Sequence, residues 1–543
     1  EFGGKTVLQR TLERLGSSRK LESIVLLAPD GWDENRLIDR GAIGLPVIVE
    51  RCGDGVFGSE REAIIAARLW SDTSWRGGIG GMSIYDEVLA PRPMLAAMER
   101  RGLTAAVLCG PDWPLVDVSE HTGVDALVAR HQMLPERMPL VFTQAPPGVS
   151  GCLVGIGLLR ELCTGNRLCT IGSMLVYQPH APQHDPIARD ANVQIDHGVR
   201  RSLVRATFDT PRYKLRMRRA VEPLVLDRDD RTDRGARGGG LLEPARCIGA
   251  IEQQWMQLPT FTPPHVVVEL CTGRFASGAF SPHRGGSIQR SPMTLRQAER
   301  ILSQLGESRD TVVTFDGVGD PLRHPDLHQI VAIAKAAGVR GVHVRTELLC
   351  GRDAIDRLVA AGVDVVSVDL HADRAATYKA MMGVDRFKEA LLNLEHLVSV
   401  RRRLSDLPGA AGFCLPWVVP RLQRRVESYE DIEPFFDRWS HLLGAALLEG
   451  PPPFDPQPHR PADALLAARA PLRVMRREGL RRMTVFSDGR VPVSELDRRG
   501  EGDIAADLST TGVLDAWREL FSRRRRLLHD EGEDTEALRT VGP

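Results

Sequence analysis

Excess charge, long apolar runs and regularly spaced cysteines are all missing from this sequence of 543 residues. Lysine plus arginine and aspartate plus glutamate each number 71, so the formal net charge is zero. This balance does not indicate a nucleic acid or an anionic membrane surface as a partner. We find no secretory leader and no apolar run of membrane-spanning length, so we expect neither export nor membrane insertion.

The nine cysteines are scattered along the chain. Cys163 and Cys169 have no downstream partners with the spacing of a metal finger. Reduced thiols in a cytoplasmic protein are the simplest interpretation. The chain begins with Glu1 and not with methionine, and we expect its natural start to lie upstream. We expect the arginine run 523–526 to be the solvated end of a helix.

The chain is long enough for several domains, and its first 222 residues alternate helix and strand signals. KTVLQRTLERL predicts a helix, while ESIVLLAPD, AAVLCGPDWPLVD and PLVFTQAPPG predict strands. We expect an α/β domain with a mostly parallel sheet over residues 1–222. The dense charge and the three glycines of LDRDDRTDRGARGGG predict an exposed linker over residues 223–258.

A second alternation starts near residue 259, with predicted strands HVVVEL, DTVVTFDG, RGVHVRTE, VDVVSVDL, GAAGFCLPWVV and GAALLEG. Together with the helical stretches between them they give six β/α units. They predict a partial (β/α)6 barrel of the TIM type over residues 259–455, with its site at the C-terminal strand ends. Residues 456–543 predict a small α+β domain, in which Asp488-Gly489 marks a hairpin turn.

Three segments of this second half carry candidate ligand-binding residues. FDGVGDPLRHPDL places Gly317, Gly319 and Asp320 at a strand end, HVRTELL places Thr346, and VVSVDLHADRAATYKAMMGVDRF places Asp369. Glycines allow a backbone to approach a ligand closely. In this order and spacing the segments resemble a radical SAM core, in which such a strand end receives the amino end of S-adenosylmethionine (SAM). The alternative for the aspartates is helix capping or loop solvation.

The loop ELCTGRFASGAFSPHR follows the first strand of this region. In radical SAM proteins this loop reads C-x-x-x-C-x-x-C, and three thiolates hold a [4Fe–4S] cluster. The matching positions here are Arg274, Gly278 and Ser281, and Cys271 is the nearest thiol. We therefore do not expect the cluster. SAM binding is a doubtful expectation, because SAM normally chelates the cluster iron.

Residues 456–543 resemble the SPASM extension, and residues 1–222 resemble nucleotidyltransferases of the GT-A type. The whole chain thus resembles proteins of the spiro-SPASM type. FGGKTVLQRTLERL and LCGPDWPLVD carry the N-terminal resemblance. It implies that Lys5 steadies phosphate and that Asp112 and Asp185 hold Mg²⁺. For Lys5 the alternative is a surface lysine at the start of a helix, and we expect the family's glycine-rich loop upstream of Glu1.

These resemblances support three hypotheses. The favoured one is a Mg²⁺-dependent nucleotidyltransferase that uses a nucleoside triphosphate such as CTP and acts on a small acceptor, with a cluster-free barrel that serves in binding. The second is a non-catalytic scaffold that binds a small molecule or peptide for a partner enzyme. The third is an active radical SAM enzyme, which requires ligands that this sequence does not show at the expected positions.

Overall fold

The computed structural model describes residues 1–52, 91–143, 145–164, 191–196, 199, 202, 204–233, 243–254, 257–278, 281, 283, 287–405, 416–443, 446–449 and 478–530. Within these ranges, the residues up to Gln257 form one compact unit and those from Leu258 onward form a second. In the part of the chain that the structure describes, no helix is long and apolar enough to span a bilayer.

The first unit opens with a helix that the sequence predicts and caps. Helix α1 spans Val7–Gly16, and the Thr6 hydroxyl accepts a hydrogen bond from the Gln9 N–H, one of the free donors of the first turn. Leu12 and Leu15 are buried in a core of this unit. Six further helices follow among the described residues: α2 (Pro91–Arg101), α3 (Val124–Met133), α4 (Ile156–Thr164), α5 (Pro211–Ala220), α6 (Glu222–Asp233) and α7 (Pro244–Gln254).

Strand pairing in the first unit differs from the mostly parallel sheet that we predicted. Strands β1 (Ile24–Pro29) and β2 (Val47–Cys52) pair in parallel. A second sheet has the order β3-β5-β4-β6, and β5 runs antiparallel to both of its neighbours. The connection from β4 to β5 is too short for the crossover that parallel neighbours need. The bounds of these four strands are Ala105–Leu108, Leu140–Thr143, Cys152–Gly155 and Asn192–Val193 for β3 to β6.

Residues 223–258, which we predicted as an exposed linker, contain most of α6 and all of α7. Cys247, Ile248 and Ile251 of α7 are buried in a core with residues such as Phe2 and Tyr213. Helical spacing of these apolar side chains explains why the segment packs instead of remaining extended. The domain boundaries themselves stay predictions.

Seven parallel strands form the sheet of the second unit, in the order β12-β11-β10-β9-β8-β7-β13. Strands β7 and β8 are buried along their whole length, as expected of apolar runs in a parallel sheet. Since all pairs are parallel, the strand ends meet along one side, which we call the C-terminal rim. The bounds are His265–Val268, Val312–Phe315, Gly341–Thr346, Val365–Asp369, Trp417–Gln423, Leu447–Glu449 and Arg482–Val485 for β7 to β13.

Two of these strands differ from the prediction. The predicted strand 409–419 overlaps β11 only at its last three residues, and its residues 409–415 lie outside the described part of the chain. Strand β13, predicted as half of a hairpin in a separate domain, pairs with β7 instead. The turn at Asp488-Gly489 is present, with Gly489 at φ +94°. The strand after it, β14 (Arg490–Pro492), pairs antiparallel with β15 (Ile504–Asp507).

Helices follow most strands of the second unit. Helix α8 begins with a capping box in which Thr294 and Gln297 exchange hydrogen bonds, and α9 is followed by Gly338 at φ +93°. The described helices here are α8 (Leu295–Gly306), α9 (Leu327–Ala337), α10 (Arg352–Ala360), α11 (Ala375–Met382), α12 (Phe387–Ser405), α13 (Ile432–Leu443) and α14 (Val513–Asp530).

The arginine run in α14 is not simply a solvated helix end. Arg524 is fully buried, and its guanidinium donates to the carbonyl oxygens of Val493 at 2.8 Å and of Arg482 at 2.7 Å. A buried carbonyl needs a donor, and a long arginine side chain can supply several at once. The expectation that this run is solvated is therefore wrong at Arg524.

Candidate functional site

Charged side chains are concentrated at the C-terminal rim of the seven-stranded sheet. On a strand, every second residue faces the same side. The sets Val312, Thr314 and Asp316 on β8 and its end, Gly341, His343 and Arg345 on β9, and Val365, Ser367 and Asp369 on β10 therefore share a face, and each ends in a charge. β11 and β12 add Arg421 and Glu449 to the same group. The strands thus change from apolar to charged as they reach the rim.

Asp369 is the centre of this group. Its carboxylate accepts from Arg345 Nε at 2.9 and 3.1 Å, and lies 3.6 Å from Arg421 Nε and 3.7 Å from Arg274 Nη2. Burial alone would raise the pKa of Asp369, but the surrounding arginines and His371 lower it far below its ordinary range. Asp369 is therefore a fixed negative charge at neutral pH.

Arg421 is the most deeply buried arginine of the group and is ion-paired with Glu449. Burial, followed by repulsion from Arg345, lowers its pKa to about 9. Arg345 and Asp316 are the more accessible members, with side chains 19% and 21% exposed and 3.8 Å between their charged atoms. A ligand that approaches the rim therefore meets these two side chains of opposite charge.

Asp320 has a structural role as well as a place beside the site. Its carboxylate accepts from Leu322 N–H at the start of a short 3₁₀ helix, from the Thr346 hydroxyl and from Glu347 N–H. Burial and the charge of Glu347 raise the pKa of Asp320 to about 7. The helix-capping alternative is thus present in the structure, together with a carboxyl group that titrates near neutrality.

Glu347 holds the loop that follows β7. Its two carboxylate oxygens accept from Arg274 Nε at 2.8 Å and from the N–H groups of Phe275 and Ala276 at 2.9 Å each. The Arg274 guanidinium also donates to the Val318 carbonyl at 3.3 Å. Arg274 occupies the first position of the expected cysteine motif. It therefore lies within the rim, where it donates hydrogen bonds to Glu347 and to the Val318 carbonyl.

A second buried ion pair anchors the same loop at its other end. Arg290 donates to both oxygens of Glu269 at 2.8 Å, and Glu269 also accepts from the N–H groups of Val318 and Ser487. Arg290 further donates to the carbonyls of Arg498 and Arg499. The end of β7 is thereby tied to the C-terminal segment of the chain.

Gly317 and Gly319 are required by close packing of the rim backbone. A Cβ atom on Gly319 would lie 2.3 Å from the Cys271 carbonyl oxygen, and one on Gly317 would lie 2.7 Å from the Glu269 side chain. The space in front of these glycines is thus filled by the protein itself. Their predicted role in holding a ligand stays a prediction, beside this structural reason for glycine.

Two residues without the freedom of glycine adopt left-handed backbone conformations at the rim. Leu348, just after β9, has φ +56°, and His371, just after β10, has φ +55°; both are fully buried. Such conformations are costly for residues with a Cβ and are concentrated at functional sites. Their occurrence on adjacent strand ends marks this rim as the candidate site.

The thiol donors at the rim do not form a three-cysteine set. Cys271 donates its S–H to the Asp320 carbonyl, and burial raises its pKa to about 11. The expected motif positions are Arg274, Gly278 and Ser281. Among the described residues, no group of three or more metal-ligating side chains is found. A [4Fe–4S] cluster needs several thiolates, so these residues do not fit it.

Comparison with known proteins places the rim in a recognised domain. Residues 279–407 match the model of the Radical SAM superfamily. This chain contains a radical SAM domain. The matched residues include Asp316, Asp320, Thr346 and Asp369, so the central part of the rim, at the ends of β8, β9 and β10, belongs to that domain.

Individual proteins resemble this chain over short stretches. The chain is 34% identical over 82 residues to a probable GTP 3',8-cyclase of Saccharolobus islandicus, which covers 15% of this chain and 27% of that protein. It is 27% identical over 129 residues to an AdoMet-dependent heme synthase of Methanosarcina barkeri, covering 23% and 35%. The crystal structure of Streptococcus suis SuiB aligns with a TM-score of 0.40 and 11% identity over 57% of this chain and 80% of that one, too distant to carry an argument.

These findings correct two expectations from the sequence. The superfamily match and the similar proteins contradict both the favoured nucleotidyltransferase and the non-catalytic scaffold, so these two hypotheses are wrong. The superfamily also implies SAM and an iron–sulfur cluster. This contradicts the expectation of Mg²⁺ with CTP, of doubtful SAM binding and of no cluster. The thiols described at the rim nevertheless do not supply the thiolates that such a cluster needs.

The structure describes two of the three site residues predicted in the first unit, and their roles stay predictions. Lys5 is 44% exposed and bonds to Glu13 at 2.7 Å, which agrees with a surface lysine beside α1. Asp112 is half-buried, and its backbone carbonyl accepts from Phe208 N–H at 2.9 Å. Asp185 lies outside the described residues.

The sequence interpretation missed several of the charged residues at the rim. Arg345, Glu347, Arg421 and Glu449 were not predicted as site residues, and Arg274 was noted only as a departure from the family's cysteine motif. The sequence did contain a signal for the arginines. Side chains alternate between the two faces of a strand, and the charged residues of β9 and β11 continue the row of inward-facing positions. Their convergence depends on strand order, which the sequence alone does not state.

Proposed function

We propose that this chain is a SAM-binding enzyme of the radical SAM type, and that SAM binds at the C-terminal rim of the seven-stranded sheet. The match of residues 279–407 to the Radical SAM superfamily carries this proposal. Its support in the structure is the charged group of Asp316, Arg345, Asp369 and Arg421 on the strand ends. Ligands of parallel α/β proteins bind outside the carboxyl ends of the strands.

The chemistry of SAM suits this group. SAM carries a sulfonium and an ammonium, both positive, and a carboxylate. The accessible pair of Asp316 and Arg345 offers one partner of each sign, and Asp369 behind them remains ionised. Charge-assisted hydrogen bonds of this kind are roughly twice as strong as neutral ones. The proposal extends neither to GTP nor to haem precursors, because the chain spans only 27% and 35% of the two relatives.

Titration calorimetry of SAM into the full chain tests the binding. We expect saturable binding, and about tenfold weaker binding for Asp316→Asn, since a hydrogen bond to a charged group contributes about 1.5–3 kcal/mol. The matched control is Asp385→Asn, an aspartate 70% exposed and paired with Lys379, which should bind SAM like the wild type. A folded wild-type protein that does not bind millimolar SAM would contradict the proposal.

Turnover is tested separately under reducing, oxygen-free conditions, with iron content measured on the same samples. We expect the protein to consume SAM and the active samples to contain iron, which requires cluster thiolates from outside the rim residues described above. Binding without any consumption of SAM would leave a SAM-binding protein and remove the enzymatic part of the proposal.

A further inference from the structure

A line of hydrogen-bonded polar side chains crosses the face of the sheet below the rim. His265 Nε2 lies 2.9 Å from Thr314 Oγ1, which lies 3.3 Å from His343 Nδ1. His343 Nε2 lies 2.7 Å from Ser367 Oγ, and Arg421 Nη1 donates to the same oxygen at 3.5 Å. These five residues come from five neighbouring strands, β7 to β11. Each is at most 4% exposed.

The line rises toward the C-terminal rim. In the strand register, His265 lies opposite Val312, two residues before Thr314, and Thr314 lies opposite His343. His343 lies opposite Val365, two residues before Ser367, and Ser367 lies opposite Val419, two residues before Arg421. The line therefore starts near the beginning of β7 and ends at the charged group around Asp369.

Buried polar side chains in a parallel sheet are costly unless they are hydrogen-bonded. Parallel strands covered on both faces are ordinarily rich in valine, isoleucine and leucine. The four polar side chains and the guanidinium at one end satisfy one another's hydrogen-bonding groups. An apolar side chain at any one position would leave its neighbours in the line without a partner. The line therefore connects buried side chains of the sheet to the charged group at the rim.

The chemistry of the members determines the direction of the hydrogen bonds. Burial, followed by nearby arginine charges, lowers the pKa of both His265 and His343 well below the ordinary value, so each ring is neutral with one donor and one acceptor nitrogen. Arg421 can only donate. Ser367 Oγ accepts from it, and its own O–H then donates to His343 Nε2.

The remaining steps follow in order. With Nε2 as acceptor, His343 carries its proton on Nδ1 and donates it to Thr314, whose O–H donates to His265 Nε2. This direction leaves the Nδ1–H of His265 without a hydrogen-bond partner among the described residues, in agreement with the buried, unpaired Nδ1 atom found there. The opposite direction leaves the Ser367 hydroxyl proton without an acceptor and also leaves the Nδ1 lone pair of His265 unused. The first direction is therefore the more stable.

We propose that Ser367 and His343 are positioning residues that hold the Arg421 guanidinium toward Asp369 and Glu449 for ligand binding, and that Arg421 sets the hydrogen-bond direction of the whole line. Both histidines then carry their proton on Nδ1. The part that concerns ligand binding rests on the proposed function at the same rim. The part that concerns proton positions is a property of the protein without ligand.

Long-range ¹H–¹⁵N NMR correlation on ¹⁵N-histidine-labelled wild-type protein tests the direction of the line. Signals are assigned by their loss in His265→Asn and His343→Gln. We expect the Nδ1–H tautomer at both positions, unchanged from pH 5.5 to 8. An Nε2–H tautomer at His343, or its titration within this range, would overturn the inferred direction.

Calorimetry with SAM tests the positioning role. Ser367→Ala removes the oxygen that accepts from Arg421, and we expect roughly five- to tenfold weaker SAM binding at an unchanged stoichiometry. The control is Thr484→Val, a buried polar-to-apolar change on β13 outside the line, which should bind SAM like the wild type. Equal SAM affinity of Ser367→Ala and wild type would overturn the positioning role, whereas failure of the wild type itself to bind SAM would instead contradict the proposed function.

Discussion

Replacing Arg290 with methionine should cost the second unit roughly 3–5 kcal/mol of unfolding free energy, as is usual when one partner of a buried ion pair is removed. The side chains of Arg290 and Glu269 are 4% and 2% exposed. The guanidinium also bonds to two backbone carbonyls and lies 4.1 Å over the Phe486 ring. Methionine has no donor, so the Glu269 charge remains buried without this partner.

Hydrogen exchange measured by mass spectrometry can detect this loss locally. Peptides from β7 and β13 should exchange about a hundredfold faster or more, because each 1.4 kcal/mol corresponds to a factor of ten. The double variant Glu269→Gln/Arg290→Met should recover part of the stability, since it removes the buried charge as well. Arg300→Met, at an exposed arginine that donates to the Ser509 carbonyl, is the control. If Arg290→Met exchanged like Arg300→Met, the reasoning about this pair would be refuted.

Two further predictions concern the rim. Gly319→Ala should lower the melting temperature and speed exchange in the loop after β7, because its Cβ would lie 2.3 Å from the Cys271 carbonyl oxygen, whereas Gly351→Ala, with nothing within 4 Å, should not. Since the pKa of Asp320 rises from 3.8 to about 7 on folding, the folded state binds this proton more tightly. Stability from this group is therefore lost as pH rises from about 4 to 7. Asp320→Asn should flatten that part of a urea-midpoint curve, and an unchanged slope would contradict the assignment.

Much of the second unit could be predicted from sequence because its signals are local. Strands β7 to β10 are short apolar runs between helices of clear helical spacing, and Asp369 lies at the strand end where it was expected. The predicted strand 409–419 ended at the residue before Pro420, which lies inside β11, because a proline argues against a strand in sequence. Strand β5 was missed because four buried residues, the last of them Gly155, give almost no periodic signal.

The rest depends on contacts between distant residues. The pairing of β13 with β7 cannot be deduced from the pattern of either strand, since both are simple runs of strand-forming residues. The carboxylate of Glu347 binds the loop after β7 across 72 residues of sequence, and no local rule links them. The candidate cofactor residues were found through motifs, whereas the arginines that surround Asp369 became visible only when strand order brought them together.

The position of β13 beside β7 has a consequence for synthesis of the chain on the ribosome. Ser487 and Glu269, which bond across this junction, are 218 residues apart. At about 5–20 residues per second, roughly 10–45 s pass between the emergence of β7 and that of its outer neighbour. During that interval β7 is an open edge of apolar residues, the kind of template to which other chains add. During those seconds the nascent chain is therefore most exposed to strand addition by other chains, until β13 covers that edge.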